Sequence, residues 1–213
     1  MTTLVLGSAS PARLTTLRRA GVTPYVLVSD VDEDAVVAAA QESYGRLAAD
    51  EVSLVLARAK AETVARMLED SPEDVPDELV VLGCDSVLEL DGAVHGKPAD
   101  AAEATARWRS MRGRSGVLHT GHWVVDLRED GSRATLGAVA STTVHFADVS
   151  DDEIDAYVAT GEPLAVAGAF TTDGLGGAFV RGIEGDHHNV VGVSLPLLRT
   201  LLADCGVPWI SLW

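Results

Sequence analysis

Residues 79–90 read LVVLGCDSVLEL, the most strand-like run in the chain. The run carries an aspartate, Asp85, at or near its end, where an ionised carboxylate needs a reason. Asp91–Gly92 then reads as a hairpin turn that returns the chain through Ala93–His95. Around this hairpin, strands alternate with helices, which predicts an α/β architecture. Strand ends of α/β sheets are where ligands bind, so Asp85 is either a ligand-facing group or a hydrogen-bonded residue before the turn.

The rest of the pattern fills in that architecture. Residues 3–7 read as a strand and 11–20 as a helix, with Ser10 as N-cap, Pro11 at the first helical position and Gly21 as the stop. A short strand is expected at 25–28, a helix near 35–40 and a longer helix over 51–69. The segment 71–78, SPEDVPDE, reads as an acidic loop. A helix at 99–111 and strands near 117–126 and 135–147 follow, the strands joined by the turn signal REDGS. Ser150 and Glu153 form a capping box for a helix ending at Gly161. The segment 167–185 is Gly-rich and punctuated, and 190–204 begins as strand or loop and ends as a helix. Without a repeat or a clear linker, residues 1–213 are expected to form a single domain with two lobes.

Charge restricts the partners. The chain carries 32 acidic and 16 basic residues, a formal charge of −16. Such a field repels a polyanion, so nucleic acid is not an expected partner. A small anion remains acceptable if positive contacts are concentrated locally. Of the 16 basic residues only Lys60 and Lys97 are lysines, which singles out two places where a compact ammonium is needed. The apolar stretches are too short to span a bilayer, and no basic segment precedes the N-terminal apolar run, so a cytoplasmic protein is expected. Two cysteines make no disulfide framework.

Several segments offer chemistry. In LVLGSASPARLTTL (4–17), small residues between a strand and a helix point backbone N–H groups at one spot, with Ser8, Ser10 and Arg13 nearby. That arrangement either caps the helix or holds an anion. Lys97 lies in the stiff tripeptide GKP, and Lys60 lies mid-helix in LARAKA, where a lysine ordinarily faces solvent. Glu33, in DVDE, likewise reads as a surface residue unless it is recruited. His119, His122, His187 and His188 offer a rival zinc set, although an H-x-x-H spacing places the first two on opposite faces of a strand.

Taken in order, SASPAR, DVDE, LARAKA, GCDSVLELDG, HGKPAD, GRSGVLHTG, YVATGEPLAVAGAF and GIEGDHHNVVGVSLP resemble the successive motifs of the Maf family. The resemblance covers residues 4–198. It implies an inosine-triphosphate-pyrophosphatase-like α/β fold, with an elongated mixed β-sheet flanked by helices and a central cleft between two lobes. It also implies hydrolysis of non-standard or modified nucleoside triphosphates between the α and β phosphates, with Mg²⁺ or Mn²⁺, and a link to cell-division arrest.

Carried over by motif, Asp85 matches the catalytic carboxylate, with Glu33, Lys60 and Lys97 as its catalytic companions and Ser8, Ser10 and Arg13 as substrate-binding groups. Asp85 and Glu33 are the expected metal ligands. The family resemblance suggests a homodimer. A rival class is a non-catalytic nucleotide-binding regulator of septum formation or division. Three specificity positions, Ala12, Ser86 and Asp173, match neither the TTP/UTP branch nor the 7-methyl-GTP branch of the family.

Overall fold

The computed structural model describes residues 2–70, 78–129 and 131–213, so the acidic loop expected at 71–78 lies outside the described residues except for its last position. One mixed sheet runs through the molecule, and helices cover both its faces. Its strands are β1 (Thr3–Leu6), β2 (Tyr25–Val26), β3 (Leu79–Leu90), β4 (Ala93–His95), β5 (Ser115–Asp126), β6 (Thr135–Phe146) and β7 (Val180–Glu184). The order is β2-β1-β3-β5-β6-β7, with β4 added beside β3. β1 is parallel to both β2 and β3, whereas β3–β4, β3–β5, β5–β6 and β6–β7 are antiparallel.

The register of β3 explains where a cleft can open. One edge of β3 pairs with β5 from Val80 to Glu89. The other edge is shared, β1 taking Leu79–Leu82 and β4 taking Leu88–Leu90. Between these partners the sheet forks, and residues 83–87 have a strand on one side only. Asp85 therefore sits mid-strand, not at or near the strand end as the sequence suggested. The opening comes from the departure of β1 and the late arrival of β4.

The helices are α1 (Pro11–Arg19), α2 (Glu33–Tyr44), α3 (Ala49–Asp70), α4 (Ala101–Met111), α5 (Asp151–Ala159), α6 (His187–Val191) and α7 (Leu195–Asp204). Side chains alternate along β3, and the odd positions face α3. Two glycines let that helix lie close. A Cβ on Gly83 would fall 2.2 Å from the Ala57 carbonyl oxygen, and one on Gly121 would fall 2.2 Å from that of Ser53. Gly121 is also the β5 partner of Asp85, so nothing beside the aspartate lifts α3 off the sheet.

The opposite face carries two apolar clusters. One gathers Leu4, Leu6, Leu82 and Cys84 with Leu17 of α1 and Leu198 and Leu202 of α7. The other gathers Leu88, Leu90 and Phe146 around Trp108 of α4. Trp108 is fully buried and meets Phe146, Tyr157 and Phe179 edge-on at 5.8, 5.5 and 5.8 Å. Its indole N–H donates to the Ala169 carbonyl at 2.8 Å. Ser86 stands between the clusters on β3, so the core itself divides at the fork into the two halves expected of a bilobed chain.

Three local readings change. The helix expected at 35–40 starts at Glu33, because Asp32 accepts from the Ala35 amide at 3.0 Å and acts as the N-cap. The punctuated segment 167–185 ends in a strand, β7, whose short sequence VRGIE has little apolar alternation. The start of 190–204, expected as strand or loop, is at Val190–Val191 the end of α6, a five-residue helix too short to show a period. The cap at Ser10 with Pro11 and the capping box at Ser150–Glu153 are as read from sequence.

Candidate active site

A cleft of about 830 Å³ opens at the fork. Every sequence-predicted site residue lines it: Ser8, Ser10, Ala12 and Arg13 from the β1–α1 loop and α1, Glu33 from α2, Lys60 from α3, Asp85 and Ser86 from β3, Lys97 beyond β4, and Asp173. Val37, Val52, Leu56, Leu118 and Phe170 add apolar wall, so the cleft joins a charged floor to surfaces able to take a flat ring.

The floor is a three-residue charge cluster. Lys60 Nζ lies 2.6 Å from Asp85 Oδ1 and 2.7 Å from Glu33 Oε1. The Lys60 and Asp85 side chains are only 13% and 11% exposed, whereas Glu33 is 54% exposed at the rim. The lysine does not occupy a solvated helix face, because its turn of α3 lies over Gly83 and faces the sheet. Burial raises the Asp85 carboxyl above its ordinary range, and the nearby Lys60 and Arg13 charges oppose that rise only partly. The result is a carboxylate of raised proton affinity facing a cleft beside an ammonium, a candidate proton acceptor.

The N-terminal loop is both cap and cradle. Ser10 Oγ accepts from the Arg13 amide at 3.4 Å, which caps α1. Ser8 Oγ accepts from the Ser10 amide at 3.2 Å and from Arg13 Nη1 at 3.0 Å. With both acceptor positions filled, the Ser8 hydroxyl proton is left to donate elsewhere. Arg13 is more tightly tied than a simple phosphate-binding cation. Its Nε donates to the Gly192 carbonyl at 2.7 Å and its Nη2 to Ser86 Oγ at 3.0 Å. The guanidinium thus joins the N-terminal loop, β3 and the turn after α6 while keeping its charge in the cleft wall.

Ser86 lies on the opposite face of β3 from Asp85 and is 2.9 Å from Thr120 Oγ1, whose hydroxyl donates to the Asn189 carbonyl at 3.1 Å. Asp173 is exposed and accepts from the Thr171 hydroxyl. Lys97 is exposed on its loop at the cleft edge, and Ala12 presents a single methyl to the cleft.

Two residues of consequence were missed. Glu162 lines the cleft and accepts from Tyr157 Oη at 2.8 Å and from the Leu175 and Gly176 amides at 2.9 Å each, folding the loop that carries Asp173. Arg107, buried on α4, pairs with Glu103 and reaches the loop of Lys97. The Glu103–Arg107 spacing reads in sequence as a surface pair, so nothing local announced it. Glu162 stood in plain view in the GEP tripeptide, but two of its three side-chain partners are backbone amides more than ten residues away.

The four histidines do not assemble. His119 bonds Ser141 and Glu89 on one face of β5, while His122 is buried on the other. Among the described residues, the group of three metal-type side chains brought together is Asp186, His187 and His188. Both cysteines are free and buried, and burial pushes the Cys84 thiol up to about 12. Among the described residues no helix is long and apolar enough to cross a membrane.

The arrangement as a whole is a cleft whose floor sets Lys60 between two carboxylates and whose walls add Lys97, a helix N-terminus and an arginine, cations and donors suited to a polyphosphate. Comparisons with known proteins agree with that chemistry. A sequence model of the family described as "Maf-like protein" matches residues 3–205. A nucleoside triphosphate pyrophosphatase of Salinispora tropica is 59% identical over 210 residues, covering 99% of this chain and 87% of that protein. One of the same name from Streptomyces coelicolor is 56% identical over 210 residues, covering 99% and 94%. Among solved structures, a HAM1 protein from Coxiella burnetii overlays with a TM-score of 0.46 at 18% identity, covering 96% of this chain and 100% of that one, too loosely to bear on function.

Proposed function

We propose, from the premise that this chain belongs to the Maf-like protein family, that it is a nucleoside triphosphate pyrophosphatase. The observation that carries the reading is the buried Asp85 held between Lys60 and the cleft, its carboxyl raised by burial. A protein that only bound nucleotide would have no use for an ionisable acid placed at this cost under α3. The non-catalytic regulator of division is therefore not favoured.

In this reading the triphosphate lies along the floor, with its phosphates on the β1–α1 loop amides, Ser8, Ser10, Arg13 and Lys97. Asp85 accepts the proton of a water whose oxygen forms the new bond to phosphorus. The bridging oxygen between the α and β phosphates departs with the bonding electrons, leaving monophosphate and pyrophosphate. Lys60 and Lys97 face the negative charge that grows on the leaving group.

Glu33 and Asp85 fit a divalent cation. Mg²⁺ takes one or two carboxylates and completes its shell with phosphate oxygens and water, and the ammonium between the two acids already shows a place that holds positive charge. A bound cation would neutralise phosphate charge and acidify the attacking water.

For the base, Ala12 leaves room and Asp173 presents acceptor oxygens, which suit the ring N–H or exocyclic amino groups of a purine-like ring, modified ones included. The test is pyrophosphate release from a panel of canonical and modified triphosphates, with and without Mg²⁺ or Mn²⁺. Metal-dependent release is expected, with purine-like or modified bases preferred. Absence of release from every triphosphate would overturn the activity, and a strict TTP/UTP preference would overturn the role of Asp173.

A further inference from the structure

Lys60 occupies an awkward place for a residue that serves only the substrate. Its ammonium takes one oxygen from Glu33 at 2.7 Å and one from Asp85 at 2.6 Å. These are the two acids that, on the reading above, hold the divalent cation. The position between them is therefore filled by a positive charge belonging to the chain itself.

We infer that Lys60 is a built-in competitor of the divalent cation, which enters together with the triphosphate and not before it; this rests on the metal placement proposed above. An ammonium and a divalent ion drawn to the same two acids repel each other at close range, the more so where Lys60 and Asp85 are mostly buried. The lysine is also equipped to leave. Its charge rides on a flexible four-carbon stem with three rotatable donors, two of which are taken up by Glu33 and Asp85.

The two acids are not held alike. Asp85 is fixed in the middle of β3, but Glu33 sits half-exposed at the first position of α2, a helix with no fully buried residue. The triphosphate brings several negative charges to the same floor and offers the ammonium a better partner. Lys60 then turns from the acids to the phosphates, and the acids are released to the metal. The cation site is complete only when substrate is present.

The sign of the effect separates this role from a supporting one. If Lys60 competes, removing its charge strengthens binding of the metal alone. If Lys60 only orients the carboxylates, removing it weakens that binding. Mn²⁺ binding to nucleotide-free protein is measured by calorimetry or electron paramagnetic resonance for wild type, Lys60→Met, Lys60→Gln, Lys60→Arg and the double variant Lys60→Met/Asp85→Asn. Near-ultraviolet circular dichroism confirms that each is folded, and the two neutral variants stand in for each other.

The expected result is Mn²⁺ binding at least about tenfold tighter in a neutral variant, binding like wild type in Lys60→Arg, and loss of the gain in the double variant. Equal or weaker binding in the neutral variants overturns the inference. So does a gain that survives Asp85→Asn, since the ion would then sit elsewhere. The measurement involves no turnover, so failure of the hydrolase reading in the triphosphate panel registers separately.

Discussion

Arg107 donates through Nη1 to the carbonyl oxygen of Gly96, the residue before Lys97, and the Gly168 amide donates to the same oxygen at 3.0 Å. A buried guanidinium on α4 thus fastens the loop that carries a lysine at the cleft edge. Replacing Arg107 by Met keeps the apolar stem but frees the loop. We expect kcat/KM to fall about tenfold, equivalent to about 1.4 kcal/mol, with partial recovery in Arg107→Lys. Steady-state kinetics beside a melting curve check this; an unchanged kcat/KM in a folded variant would remove the anchor from the account.

Asp85→Asn keeps the shape of the side chain and removes its basicity. Pyrophosphate release should fall about 10²–10⁴-fold, the range ascribed to a positioned proton acceptor, while the circular dichroism spectrum is unchanged. The wild-type pH profile gives an independent check. Burial raises the Asp85 carboxyl, so the acid limb of kcat/KM should lie above the ordinary carboxylate range. An acid limb at or below that range would mean that another group carries the proton.

His122 predicts a pH dependence of stability rather than of activity. Its Nε2 accepts from the Ser194 amide at 2.8 Å, and its Nδ1–H donates to the Thr120 carbonyl at 3.0 Å, so the fold holds the neutral ring. Burial lowers its pKa to about 4. The unfolded chain therefore binds more protons between pH 6.5 and 4, and stability is lost as pH falls through that window, by up to about 3 kcal/mol from this group. Urea titrations across the window should show the slope in wild type and much less of it in His122→Gln. Identical slopes would refute the assignment.

Gly121→Ala tests the seat of α3. The added methyl would meet the Ser53 carbonyl carbon at 2.5 Å as well as its oxygen, and backbone cannot turn aside as a side chain would. A loss of about 3 kcal/mol, the upper end for overpacking, is expected. Gly96→Ala, which meets nothing within 4 Å, should change stability by less than about 1 kcal/mol. Similar melting temperatures for the two variants would show that the helix has room to spare.

What the sequence disclosed follows the range over which each feature is decided. Ser10 before Pro11, Ser150 before Glu153 and Asp91–Gly92 all act within four residues, and each appears where it was read. The charged residues of the floor were also legible, because Glu33, Lys60 and Asp85 each lie in a recognisable segment. Their bonding was not. Arg13 is tied to Gly192, 179 positions away, and Lys60 turns from an apparent surface into the floor because two glycines on different strands let α3 descend. Asp85 was misplaced along its strand because a fork depends on where β1 stops and β4 begins, which no periodicity within β3 records.

Those two glycines have a consequence for how this site can change over time. The height of Lys60 above Asp85 is set by atoms that are missing, a Cβ at Gly83 and another at Gly121. A spacing stored as an absence has no compensating substitution: enlarging a neighbour cannot restore it, and trimming one cannot deepen it. Ala12, Ser86 and Asp173 line the cleft away from that contact. The floor can be kept or lost, but has no intermediate settings.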